Sequence, residues 1–182
     1  MTCIVGMVHN GHTYVGADSS AVSHLVIRTI KNPKVFRRGP FVIGYTTSFR
    51  MGQLLEYWLD VPEKSKEQSF QEYMVKDFAE AVRSLFKEKG FSTVESNSET
   101  GGQFLIGYGD HLYAMHGDFQ VAEMTDGFDA VGCGDEFALG ALMALSNYND
   151  PVERIVKSLE IASYFSAGVC PPFNVLSTKQ EK

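Results

Sequence analysis

Residues 2–18 read TCIVGMVHNGHTYVGAD and decide the fold of the chain. The apolar run from Thr2 to Val8 predicts a buried strand, and His12 to Asp18 predicts a second strand. Asn10-Gly11 between them favours a type I′ turn, because both residues tolerate a positive φ. The two strands therefore form a hairpin, which carries Asp18 back towards Thr2.

Thr2 follows the initiator methionine directly, and its small size favours removal of Met1. A terminal threonine then holds a hydroxyl nucleophile and, in its α-amine, the base that activates it. An α-amine titrates at roughly 7.7–8.0, and a nearby ammonium favours its neutral form. Lys34, which follows the extended backbone that Pro33 imposes, is the candidate for that charge. Asp18 is the carboxylate that would keep the lysine charged and aimed.

Each member of this trio has an ordinary structural explanation when it is taken alone. A small residue at position two commonly does no more than permit removal of the methionine. Asp18 is a typical residue at the end of a strand, and Lys34 is a typical solvated lysine. The three together favour a catalytic interpretation.

Several short motifs resemble proteasome β-type subunits in their order and approximate spacing. The chain resembles an N-terminal-nucleophile threonine peptidase, and its length and short N-terminus are more similar to the bacterial HslV peptidase than to the eukaryotic β-subunits. The resemblance implies that Thr2 is the nucleophile, that Lys34 tunes its amine and that Asp18 holds the lysine. The motifs are Thr2-Cys3-Ile4-Val5-Gly6, Asn10-Gly11, Gly16-Ala17-Asp18-Ser19, Pro33-Lys34-Val35 and Gly132-Cys133-Gly134.

The same resemblance implies further site residues, some of which depart from the family pattern. Cys133 stands where the family usually has a serine whose hydroxyl lies near the nucleophile's amine, and a thiol is a weaker hydrogen-bond donor. Ser166 is the nearest equivalent of the serine in a late Asp-x-x-Ser-Gly pattern. The turn at residues 44–48 falls where relatives donate a backbone N–H to the oxyanion. The residues implied to bind substrate are Ser20, Val22, Thr46 and Thr47.

Hydrophobic periodicity outlines the rest of the fold. Strands followed by two helices, then strands and two more helices, predict an α+β fold with one domain over residues 1–182. The resemblance narrows this to a four-layer αββα sandwich of two antiparallel sheets between helical layers, the N-terminal-nucleophile hydrolase type. The predicted helices are 50–59, 69–89, 134–146 and 151–166; the predicted strands after the hairpin are 103–108, 112–116, 129–132 and 173–176, and residues 92–102 are predicted to be a loop.

Composition excludes several classes of function. A chain of 182 residues with 44% hydrophobic content is long enough to bury a substantial core. No apolar run approaches the roughly 20 residues of a membrane span, and a net charge of −6 argues against general nucleic-acid binding. The histidines and cysteines lack metal-ligand spacing and no phosphate loop is present, so we predict no metal and no cofactor. Three cysteines, an odd number, without an export signal favour reduced thiols in the cytoplasm.

The resemblance predicts a threonine-type endopeptidase that cleaves peptides or unfolded proteins through an acyl-enzyme. It also implies a self-compartmentalising homo-oligomeric ring and a separate ATPase unfoldase as a partner. Two alternatives remain open. An amidase acting on a small molecule would use the same trio in an exposed cleft. A catalytically silent ring or scaffold protein would keep only the fold, and the departures at Cys133, Thr46-Thr47 and Ser166 support this alternative.

Overall fold

The computed structural model describes residues 2–24, 26–95 and 98–179. The strands are β1 (Cys3–His9), β2 (His12–Ala17), β3 (Ser20–Ser23), β4 (Val26–Thr29), β5 (Val35–Arg38), β6 (Phe41–Tyr45), β7 (Thr93–Glu95), β8 (Ser98–Thr100), β9 (Phe104–Tyr108), β10 (His111–Met115), β11 (Val121–Glu123), β12 (Phe128–Gly132) and β13 (Asn174–Ser177). The helices are α1 (Phe49–Trp58), α2 (Phe70–Tyr73), α3 (Ala79–Glu88), α4 (Asp135–Ala144) and α5 (Pro151–Phe165), and a π-helical turn (Met74–Phe78) joins α2 to α3.

The N-terminal hairpin forms as its sequence predicts. β1 and β2 pair antiparallel with Ile4 opposite Ala17 and His9 opposite His12. Asn10 and Gly11 have φ values of 49° and 76°, which are the positive angles that a type I′ turn requires. The turn fixes the register, and Asp18 therefore leaves β2 beside the start of β1.

Two antiparallel sheets form the centre of the fold. The first has four strands in the order β12-β1-β2-β13, and the second has five in the order β11-β10-β9-β6-β5. Two short hairpins, β3-β4 and β7-β8, lie outside these sheets. β1 and β2 are therefore flanked by strands from the other end of the chain, which encloses the N-terminal hairpin on both edges.

The alternation of side chains along the strands explains the layers. Ile4 of β1 packs with Val42 and Leu105 in an apolar cluster between the two sheets. Val5 lies on the opposite face of β1, in the cluster shared with α4 and α5. A third cluster buries Ile43 and its neighbours on β6 against α1 and the helix spanning α2 and α3. The predicted αββα sandwich is thus confirmed, and the near-continuous apolar sequence of β1 follows from burial on both faces.

Most local predictions agree with the structure within a few residues, and the differences are specific. Residues 93–95 and 98–100 form an antiparallel pair, so the predicted loop over 92–102 is wrong there, while residues 96 and 97 lie outside the described residues. β3, β6, β11 and the π-helical turn were not predicted from the sequence. In the part of the chain that the structure describes, no helix is both long and apolar enough to cross a membrane.

Candidate active site

The three residues of the predicted trio lie where strands begin or end. Thr2 directly precedes β1, Asp18 follows β2, and Lys34 precedes β5. Asp18 and Lys34 have no exposed surface, and Thr2 is 7% exposed. The hairpin and the sheet packing therefore enclose all three polar side chains.

Lys34 and Asp18 form a buried ion pair, with 2.9 Å between Lys34 Nζ and Asp18 Oδ1. The same carboxylate accepts three backbone N–H groups: Cys3 on Oδ1 at 2.9 Å, Ser20 on Oδ2 at 2.8 Å and Cys170 on Oδ2 at 3.3 Å. A buried carboxylate with this many donors is held in one orientation. Asp18 is therefore a fixed anion that aims the lysine.

Burial dominates the electrostatics around this pair. It lowers the pKa of Lys34, and the attraction of Asp18 opposes that shift. Burial also raises the pKa of Cys3, with a further increase from Asp18, so that thiol stays protonated at neutral pH. An ammonium in such a site exerts its field over a short distance with little screening, and a neighbouring amine would be favoured in its neutral form.

Backbone hydrogen bonds fix Thr2 on two sides. Its chain neighbour Cys3 donates to the Asp18 carboxylate, and Asp18 N–H donates to the Cys3 carbonyl at 3.2 Å. On the other side, Cys133 N–H donates to the Thr2 carbonyl at 2.6 Å. Met1, whose removal the sequence predicts, lies outside the described residues. Thr2 is thus one residue from Cys3, whose N–H donates to the carboxylate of the buried ion pair.

The turn at residues 132–134 packs directly on the nucleophile candidate. Gly132 has a φ of 110°, and a Cβ atom there would lie 1.9 Å from the Thr2 carbonyl oxygen. Only glycine permits this approach. Cys133 Sγ lies 3.0 Å from Ser166 Oγ, at the C-terminal end of α5. The structure thus brings the two residues together, although 33 positions separate them in the sequence.

The two threonines in the turn after β6 differ in backbone conformation and in the hydrogen bonding of their N–H groups. Thr46 N–H donates to the Gln103 carbonyl at 3.1 Å, so this donor is already occupied. Thr47 has a φ of 72°, an unusual conformation for a β-branched residue, and its hydroxyl accepts Gln103 N–H at 3.4 Å. Backbone strain of this kind concentrates at functional sites. Of the two predicted oxyanion donors, Thr47 is the one whose N–H is not engaged by Gln103.

Ser20 and Val22, both predicted to bind substrate, occupy different environments. Ser20 is fully buried, and its hydroxyl lies 3.5 Å from Lys34 Nζ, inside the ion-pair cluster. Val22 lines an open cavity of about 590 Å³ beside the β3-β4 hairpin, together with Phe49 and Arg28. The structure therefore separates these two residues, with one at the lysine and the other facing open space.

Sequence reasoning missed the segment at residues 168–172. Cys170 N–H reaches the Asp18 carboxylate, and the Pro172 carbonyl accepts the buried Ser19 hydroxyl at 2.5 Å. The only signal for it in the sequence is the pair of prolines after Cys170, which indicates a rigid extended segment. Among residues 2–24, 26–95 and 98–179, no three His, Cys, Asp or Glu side chains converge as a metal site would require.

The chain is similar to known proteins in structure but matches none of them in the searches by sequence. No model of a known protein family matches the chain, and no curated protein matches it in sequence. BPH from Thiobacillus denitrificans in complex with epoxomicin has a TM-score of 0.79 and 18% identity over 96% of this chain and 97% of its own. HslV from Trypanosoma brucei has a TM-score of 0.66 and 18% identity over 96% and 98% of the two chains. Anbu (ancestral beta-subunit) from Yersinia bercovieri has a TM-score of 0.68 and 15% identity, over 97% of this chain and 81% of its own. At these identities the likeness establishes the fold.

Proposed function

We propose that the chain is a threonine-type endopeptidase in which Thr2, exposed as the N-terminus by removal of Met1, is the nucleophile. The observation that carries the proposal is the buried pair of Lys34 and Asp18 beside the start of β1. The Asp18 carboxylate has a structural role, because it accepts three backbone N–H groups as well as the ammonium, whereas burial opposes the charge of the Lys34 ammonium. Its use is to keep the Thr2 α-amine neutral and basic.

The reaction proceeds through an ester. The Thr2 amine takes the proton of the Thr2 hydroxyl, directly or through a water, and the oxygen attacks the peptide carbonyl. The backbone N–H of Thr47 donates to the oxyanion, and the amine then gives its proton to the departing nitrogen. Water hydrolyses the ester and restores the terminal threonine. Removal of the base costs about 10²–10⁴-fold in rate, and removal of one oxyanion donor costs about 10²–10³-fold.

The proposal includes assembly of copies into a self-compartmentalising ring in the cytoplasm, served by a separate ATPase unfoldase. Exposed aromatic side chains support self-association: Phe137 and Phe165 stack at 5.0 Å between ring centroids on the α4-α5 face, and Tyr164 is 84% exposed. Such surfaces mark protein–protein contacts. The cysteines, all within the described residues and none of them in a disulfide, suit a reducing compartment. Analytical ultracentrifugation of the purified protein tests the ring.

Intact mass and a covalent probe test the catalytic proposal. We expect the purified protein to lack Met1 and to gain one molecule of epoxomicin, the compound bound to the BPH protein. Thr2→Ala should gain none, whereas the matched control Thr13→Ala, a buried threonine on β2, should react like the wild type.

The outcomes separate the candidate functions. A mature protein that retains Met1 and takes up no probe would refute the peptidase and support the silent scaffold. A labelled protein that hydrolyses small amides but no peptide would support the small-molecule amidase. Turnover of a peptide library by the wild type, absent in Thr2→Ala, supports the proposal.

A further inference from the structure

Residues 18–20 and residues 168–172 are joined by a set of short contacts. Ser20 Oγ donates to the Gly168 carbonyl at 2.6 Å, and Ser19 Oγ donates to the Pro172 carbonyl at 2.5 Å. Ser19 N–H donates to the Cys170 carbonyl at 2.8 Å, while Cys170 N–H donates to Asp18 Oδ2. Both serines are buried, with exposures of 0% for Ser20 and 1% for Ser19. The segment after α5 therefore holds the strand end that carries Asp18.

The Ser20 hydroxyl has a fixed orientation. A hydroxyl has one proton to donate, and the Gly168 carbonyl at 2.6 Å takes it. The lone pairs of Ser20 Oγ are then what Lys34 Nζ meets at 3.5 Å. Lys34 Nζ thus has Asp18 Oδ1 at 2.9 Å and Ser20 Oγ at 3.5 Å as acceptors.

We propose that Ser20 is a positioning residue, whose oxygen holds the Lys34 ammonium in place while Gly168 fixes the hydroxyl. The role rests on the proposed function, because Lys34 acts there only through the Thr2 amine. It differs from contact with substrate, which the family resemblance implies for Ser20, since the side chain is fully buried against Lys34 and Gly168.

Among the other groups that face Lys34, few carry a charge or accept a hydrogen bond from the ammonium. These groups are Asp18 at the end of β2, Cys3 on β1 and Cys170 in the segment after α5. Burial raises the pKa of both thiols, so neither carries charge at neutral pH. Asp18 is then the one anion among these groups, and Ser20 supplies a second acceptor for the ammonium.

Three serine-to-alanine variants test the role. Ser20→Ala removes the acceptor at Lys34 as well as a bond to the 168–172 segment. Ser19→Ala removes a bond to the same segment without touching the lysine. Ser158→Ala removes a buried hydroxyl that donates to the Ile155 carbonyl at 2.7 Å inside α5, and serves as the matched control for loss of a buried hydroxyl.

The first readout is the pKa of Lys34, measured by NMR titration of the lysine side-chain carbons. The Lys34 signals are identified by their absence in Lys34→Met. Loss of an acceptor disfavours the ammonium, so Ser20→Ala should lower this pKa by about one unit, the low end for a hydrogen bond to a charged group because the contact is long. Ser19→Ala and Ser158→Ala should leave it unchanged. Ser20→Thr keeps the hydroxyl and should restore the wild-type value.

The second readout is the rate of probe attachment. Ser20→Ala should slow the maximal rate about 3–10-fold with little change in probe affinity. The alkaline limb of its pH–rate profile should lie at a lower pH than that of the wild type, because Lys34 loses its proton earlier. An unchanged Lys34 pKa in Ser20→Ala, or an equal effect of Ser19→Ala, overturns the positioning role. A wild type that never reacts with the probe refutes the peptidase instead, and the titration by itself then decides the role of Ser20.

Discussion

The contacts of the Lys34–Asp18 pair predict that removing the charge of Asp18 destabilises the protein about twice as much as removing the charge of Lys34. Asp18 Oδ1 accepts Lys34 Nζ and Cys3 N–H, and Oδ2 accepts the N–H groups of Ser20 and Cys170. The carboxylate thus satisfies four donors, whereas the lysine has a single anionic partner. We compare Asp18→Asn with Lys34→Met, two substitutions that nearly conserve side-chain volume.

In Asp18→Asn, the amide group cannot satisfy these donors in either orientation. One of its ends is an NH₂, which faces two donors whichever way the side chain is turned. The Lys34 ammonium also loses its countercharge in a site with no exposed surface. Breaking a buried pair in this way costs about 3–5 kcal/mol. Neutralising the lysine at pH 7 instead costs about 5 kcal/mol, because its ordinary pKa is 10.5. We therefore expect a loss of about 5 kcal/mol.

In Lys34→Met, the remaining carboxylate keeps its three backbone donors. Burial lowers the pKa of Lys34, which means that burial of the ammonium is itself unfavourable and its removal offsets part of the loss. The expected cost is about 2–3 kcal/mol, that of one hydrogen bond between charged groups. The exposed pair of Lys76 and Glu72, 2.6 Å apart, gives the control: Lys76→Met should leave the free energy of unfolding nearly unchanged, because solvent screens this pair.

Urea unfolding of the four proteins measures these free energies, with midpoints and slopes compared under one buffer. The cost of Asp18→Asn should also shrink as pH rises from 7 towards 10. In this variant Lys34 is neutral in the folded state and protonated in the unfolded state, so a higher pH destabilises the unfolded state. Equal costs for the two variants, a larger cost for Lys34→Met, or a cost of Asp18→Asn that does not change with pH would each refute the reasoning.

Three further predictions concern the turns around Thr2 and its amine. Gly132→Ala should cost about 2–5 kcal/mol, since its Cβ would meet the Thr2 carbonyl; Gly109→Ala, at a φ of 55° with no atom within 4 Å, should cost only about 1 kcal/mol in the same urea assay. The free energy of unfolding of Thr47→Gly should exceed that of Thr47→Val by about 0.5–1 kcal/mol, because both variants lose the bond from Gln103 N–H and only glycine relieves the positive φ; a lower value for Thr47→Gly would contradict that assignment of strain. The rate of probe attachment should increase with pH to a midpoint below about 8, as the Thr2 amine loses its proton; Lys34→Met should move that midpoint upward, and a midpoint that stays in place would show that the lysine does not act on the amine.

Local chemistry made the hairpin and the helices predictable. Asn10-Gly11 imposes its turn through two positive φ angles, which depend on those two residues alone. Asp150 and Pro151 begin α5 as predicted, with the Asp150 carboxylate accepting Val152 N–H at 2.9 Å. The pairing of residues 93–95 with 98–100 escaped prediction, because a polar segment rich in Ser, Thr and Glu has the composition of a loop and forms strands only through its pairing.

The candidate site divides in the same way. The sequence predicts that Thr2, Asp18 and Lys34 lie close together; the structure pairs Lys34 with Asp18 beside Cys3, and the catalytic role of the three residues stays a prediction. Ser20 was assigned to the substrate from its position in the motif, but its buried hydroxyl is directed at Gly168, 148 positions away. The occupation of Thr46 N–H by Gln103 likewise depends on the pairing of β6 with β9.

The sequence by itself determined the strand-turn-strand unit at the N-terminus and the alternation that yields a layered α+β fold, since both follow from neighbours along the chain, and it named the candidate catalytic residues. Tertiary structure decided which donors reach the Asp18 carboxylate, including Cys170 N–H from 152 positions away, and which backbone N–H groups near Thr2 are occupied. The physical reason is that a buried polar atom takes its partners from whichever segments the packed sheets and helices place within about 3 Å, and sequence distance carries no information about that placement.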